Sequence, residues 1–81
     1  MNEERMQLKG QLATEREKKR TLELRAQSHI IVIRNKISPF INVDELDTDT
    51  AQVSMNELDE TVKELRAVNE KIKKLEEALN G

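Results

Sequence analysis

No cysteine occurs in this 81-residue chain. Disulfides and thiolate metal centres are therefore excluded, and the redox compartment is left open. Phe40 is the only aromatic residue, Pro39 the only proline, and Gly10 and Gly81 the only glycines. So few turn formers argue against a mixed α/β domain or a loop-rich one. The longest unbroken apolar run is the four residues Ile30, Ile31, Val32 and Ile33. That is far short of the roughly 20 residues a membrane-spanning helix needs. The first ten residues are charged from Glu3 onward and hold no apolar core, which is unlike a secretory signal. The expected address is cytoplasmic, without membrane contact.

Charge is what the chain has in abundance: 37% of residues are charged and 36% hydrophobic, for a net charge of -2. The sign is unevenly distributed. Residues 1–40 hold nine Lys/Arg against five Glu, or +4, and residues 41–81 hold five against eleven Asp/Glu, or -6. Two segments of opposite charge favour lying side by side. Lysine- and glutamate-rich segments of this length read as long helices, so the expected fold class is all-α. It is an antiparallel coiled-coil hairpin with a helix over 2–37, an apolar connector over 38–48 and a helix over 49–80. A lone hairpin buries one stripe per helix, against a backbone entropy cost of about 1–2 kcal/mol per residue. Pairing of two copies into a four-helix bundle is the expected remedy.

In the first helix the seam reads Leu8, Leu12, Glu15, Lys19, Leu22, Ala26, His29, Ile33, alternating steps of four and three. Glu15 and Lys19 stand in the favoured order for pairing along the helix. Asn2 is a candidate N-cap, and Glu3 and Glu4 suit the positive end of the helix dipole. Ile30, Ile31, Val32 and Ile33 point around most of the circumference, more than one partner helix can cover. Together with Ile37, Phe40 and Ile41 they are the expected interface with a second subunit or another protein.

Pro39 disfavours helix at Ser38 and should stop the first helix near Ile37. Phe40, Val43 and Leu46 are expected to fold back over the end of the core. The alternative is an exposed recognition tip. Asp44, Glu45, Asp47 and Asp49 lack the glycine and glutamate spacing of a calcium loop. They are better placed to complement the dipole of the following helix, with Asp49 and Gln52 as a capping box and Thr48 as a rival cap. The second helix shows the cleanest periodicity: Met55, Leu58, Val62, Leu65, Val68, Ile72, Leu75, Leu79. One extra three-residue step, Leu65 to Val68, makes a stammer that would overwind the coil locally. Glu70 and Lys74 are spaced to pair, and Asn80-Gly81 supplies a stop.

Chemistry is hard to find. His29 is the only histidine, on the seam, and reads as a packed residue. Glycine-rich phosphate loops, nucleophile elbows and metal-ligand spacings are missing. A non-enzyme without cofactor, metal or small-molecule substrate is the expectation. Arg16, Lys18, Lys19, Arg20 and Arg25 are candidate phosphate contacts. Glu15, Glu17 and Glu23 dilute them, and the stacking aromatics of single-strand binders are absent.

Ile33-Arg34, Pro39-Phe40, the run Val43-Asp44-Glu45-Leu46 and the ending Ala-Leu-Asn-Gly carry a resemblance. Over residues 34–81 the chain resembles small early-region coiled-coil proteins of Mu-like transposable phages. In those, an Ile-Arg, Asp-Pro-Phe, Leu corner joins two charged helices. Ser38 stands here where they have the aspartate. The family carries no established active site. The resemblance implies a phage accessory protein acting in the host cytoplasm through contacts with a host protein or defence system. The other functions open at this point are a nucleic-acid-associated factor and a purely structural assembly component.

Overall fold

A computed structural model describes residues 2–80 and contains two long helices packed against each other. Helix α1 spans Asn2–Lys36 and helix α2 spans Thr48–Asn80. Between them lies a connector with one turn of 3-10 helix, Val43–Glu45. The molecule is a rod of 64 × 16 × 14 Å. Contacts along it run in opposite order on the two helices: Glu15 meets Lys71, His29 meets Glu57, and Lys36 meets Asp47. The shape is hairpin-like, with its closed end at the connector.

The expected seam of α1 is the one the structure buries. Leu12, Glu15, Leu22 and Ala26 are buried, and Leu8, Lys19, His29 and Ile33 are half-buried. Helix α2 departs from expectation. Its buried positions are Ala51, Ser54, Thr61, Val68 and Ile72, with Leu58, Leu65, Leu75 and Leu79 half-buried. Those nine positions alternate steps of three and four without a break, so the stammer does not exist. Met55 is half exposed, at 50%, and Val62 is only half-buried. A heptad carried back from Leu79 lands on Thr61, Ser54 and Ala51, whatever their size.

This register divides the core into two unlike halves. Toward the open end, Leu12, Leu22, Val68 and Ile72 form an apolar cluster with Leu65, Leu75 and Leu79 packed on it. Toward the closed end the seam holds Ile33 and Leu58, both half-buried, among the smaller or more polar Ala26, His29, Ala51, Ser54 and Thr61. Buried Thr61 satisfies its hydroxyl within its own helix, donating to the Glu57 carbonyl at 2.8 Å.

Helix α1 ends at Lys36, one residue before the expected stop; the Ile37 amide still donates to the Ile33 carbonyl at 2.8 Å. Ser38 then organises the corner. Its Oγ accepts the Phe40 amide at 3.3 Å and its carbonyl accepts the Ile41 amide at 3.1 Å. The expected role of the connector as a core cap fails for two of its three residues. Phe40 is 94% exposed and Val43 84%; only Leu46, and beside it Ile41, are half-buried. The corner turns so tightly around Ser38 that Phe40 is carried off the end of the seam.

The cap of α2 is Asp47, neither Asp49 nor Thr48. Asp47 Oδ1 accepts the Thr50 amide at 3.1 Å, and its carbonyl accepts the Ala51 amide at 3.2 Å. These are the two bonds an N-cap residue makes. Hydrogen bonds from the Thr50 side chain and amide, with Lys36 nearby, hold the Asp47 carboxyl below its ordinary 3.8, against a small opposing effect of burial. Because the folded value is the lower one, the stabilisation is present above pH 3.8 and is lost as pH falls through the folded value. Asp47→Ala should lower the thermal midpoint at neutral pH. The gap to the wild type should close as the solution is acidified past that point. A gap that stays constant with pH would show that the carboxylate is not what stabilises the helix.

Two further ion pairs differ from expectation. Glu15 pairs across the seam with Lys71 at 3.4 Å, not along α1 with Lys19. Among the described residues the i,i+4 pair on α2 is Asp59 with Lys63 at 2.9 Å, and Glu70 with Lys74 is not formed. Asn2 is already helical, and Gly81 lies outside the described residues.

Candidate interaction surface

Since the helices cross-contact at Arg16 and Glu76, 3.3 Å apart, those two residues mark one edge of the pair. Stepping by sevens along that edge gives Glu23 and Ile30 on α1, Ile37 just past its end, and Asn69, Val62 and Met55 on α2. The edge is charged or polar toward the open end and wholly apolar toward the closed end. Ile30, Ile37 and Met55 are all exposed. Near the closed end several large apolar side chains thus lie on this outer edge. The seam in the same stretch keeps Ile33 and Leu58 but is otherwise made of small and polar residues.

The sequence-based interface residues separate accordingly. Ile30, Ile37 and Phe40 are exposed, as is Ile31, which lies on the outer face of α1 seven residues after exposed Leu24. Val32, Ile33 and Ile41 are half-buried. Of these only Ile33 continues the α1 seam. Met55 and Val62 were expected in the seam and belong to the edge. Val43 at the tip joins the exposed set. The signal for Met55 and Val62 was the stammer itself. An interruption in an otherwise regular heptad shows that the wrong residues have been threaded.

The opposite edge is polar and grooved. A groove of about 660 Å³ runs past Gly10, Gln11, Thr14, Glu15, Lys71 and Leu75. A second, of about 430 Å³, is lined by Glu15, Lys18, Glu64 and Lys71 among others. Glu15 and Lys71 line both. Glu15 Oε1 accepts from the Lys71 ammonium at 3.4 Å, and its Oε2 is buried with no hydrogen-bond partner.

The five candidate phosphate contacts do not form one face. Arg16 is tied to Glu76 on the apolar side's edge. Lys18 lines the opposite groove beside Glu64. Lys19 is half-buried in the seam; exposed Arg25 follows Lys18 by seven on the grooved edge, and exposed Arg20 follows Arg16 by four on the other side. His29 is packed in the seam with its side chain 17% exposed, its Nδ1 3.4 Å from Glu57 Oε2. Among the described residues no three His, Asp or Glu side chains converge to hold a metal ion, and no helix is long and apolar enough to cross a membrane.

Comparison with protein families, with curated proteins and with solved structures finds no match.

Proposed function

We propose that this chain is a non-catalytic protein-interaction module: an antiparallel coiled-coil hairpin that associates through its closed half, first with a second copy to form a four-helix dimer. The observation that carries the reading is the outward transfer of large apolar side chains at the closed end. Ile30, Ile37 and Met55 are exposed, while the seam between them holds Ala26, Ala51, Ser54 and Thr61 beside only two large apolar residues, Ile33 and Leu58. A contiguous apolar surface of this kind marks an association site in a soluble chain.

The phage-accessory role implied by the Pro39-Phe40 corner fits the same geometry. Phe40 and Val43 project from the tip, free for a host protein partner. Such a protein would act in the host cytoplasm. The scattering of Arg16, Lys18, Lys19, Arg20 and Arg25 over different faces gives the nucleic-acid reading no stripe to act through.

Sedimentation equilibrium tests the proposal. The wild type should sediment at twice the chain mass at micromolar concentration, and Met55→Glu should sediment as a helical monomer. A wild type that is a stable, folded monomer under those conditions overturns it.

A further inference from the structure

The charges that border the apolar edge also specify how two copies meet. Arg34 lies four residues after Ile30 and three before Ile37, so it flanks the edge on the α1 side. Asp59 stands in the same relation to Met55 and Val62 on the α2 side. Arg34 makes no ion pair among the described residues, and Asp59 has only its exposed neighbour Lys63. The wider charge follows the same sign, +4 over residues 1–40 and -6 over residues 41–81.

We infer that the apolar edge docks a second copy of this chain with both closed ends at the same end of the assembly, α1 of each copy lying against α2 of the other. The proposal rests on the self-association proposed above and adds its geometry. A twofold axis parallel to the rod produces this arrangement, with the same patch used on both copies. Around the resulting ring of four helices, basic and acidic segments alternate, and Arg34 of each copy approaches Asp59 of the other. The opposed arrangement, with open ends pointing apart, stacks α1 on α1 and α2 on α2. It sets like charge on like, and Arg34 against its own copy.

The apolar centre of such an interface is Ile30, Ile37 and Met55. These three are each close to half exposed and lie on this one edge, while Phe40 and Val43 project from the tip outside it. A standard interface takes about 800 Å² per partner, so the arrangement requires the flanking rims of both helices, Arg34 and Asp59 among them, to take part. Contact is confined to the closed half. Toward the open end the edge becomes Glu23, Asn69 and the Arg16–Glu76 pair, which already satisfies itself.

With no native cysteine, a single Ala13→Cys substitution on the exposed surface of the open half takes one spin label per chain. Pulsed electron–electron distance measurement on the labelled dimer should give less than about 35 Å if the closed ends lie together. The opposed arrangement, overlapping between Ile30 and Ile37, separates the labels by roughly 60 Å at 1.5 Å of rise per residue. A distance near the larger value overturns the arrangement and leaves the dimer standing. A labelled chain that sediments as a monomer, where the unlabelled one does too, overturns both.

Discussion

Leu22→Ala should cost this protein about 2–5 kcal/mol, a large fraction of the marginal stability of a small chain. Leu22 is the most deeply buried apolar residue of the seam, at 3% exposure, and it sits at the inner end of the one apolar cluster. Beyond it toward the closed end the seam offers Ala26 and Thr61, which cannot move in to fill the space. Nor can the connector, since Phe40 and Val43 point away from the core. Each kcal/mol lost should lower the thermal midpoint by roughly 4–8 °C in a chain of this size. The control is Leu24→Ala on the same helix. Leu24 is exposed and off both the seam and the apolar edge, so its removal should stay within about 0.5 kcal/mol. Urea unfolding of the two variants side by side checks the claim. Equal losses would mean that the seam between α1 and α2 is not where the stability resides.

Glu15→Leu should act in the opposite direction and stabilise. Glu15 occupies a seam position between Leu12 and Leu22, and one of its carboxylate oxygens is buried without a partner. Burying a charge costs free energy unless its hydrogen bonds are complete. The compensation here is Lys71, whose side chain is 67% exposed and whose ammonium is 3.4 Å away. A contact so open to solvent is worth about 0–1 kcal/mol and is screened by salt. A leucine gives back that small amount and joins the apolar cluster along α1. Removing an unpartnered buried oxygen and adding a leucine to the cluster should together raise stability by about 1–3 kcal/mol. The gain should be larger at high salt, where the Lys71 contact contributes least. A variant less stable than the wild type would show that the Glu15–Lys71 pair outweighs the burial cost. Glu15 would then be read as a device that fixes the register of the two helices.

How far the sequence could be read depended on how unambiguous each residue was. In α1, Leu8, Leu12, Leu22, Ala26 and Ile33 lie on one heptad line, and the seam was legible even through Glu15 and Lys19. In α2 the larger apolar residues Met55 and Val62 sit one position away from Ser54 and Thr61. Choosing by hydrophobicity selects the former, whereas continuity of the heptad from Leu79 selects the latter. The exposed edge is therefore only half visible in the sequence: Ile30 and Ile37 stand out, whereas Met55 and Val62 on α2 read as core.

The corner was legible as a corner and no further. Pro39 marks the end of α1, but the choice among Asp47, Thr48 and Asp49 as cap depends on where the Val43–Glu45 turn releases the chain. Composition does not encode that. The exposure of Phe40 likewise follows from the hydrogen bonds made by Ser38, which no hydrophobic pattern reports. Nothing in the seam's periodicity speaks to the partner, and the functional reading rests on surface geometry alone.

The central claim is that the closed half depends on a second copy to cover what its own seam leaves outside. Thermal unfolding followed by circular dichroism, over a hundredfold range of protein concentration, tests this most directly. For a protein whose folded form is a dimer the midpoint rises with concentration, by mass action. The wild type should show that rise, and Ile30→Glu should abolish it while lowering the midpoint. A wild-type midpoint that is the same at every concentration would contradict the account.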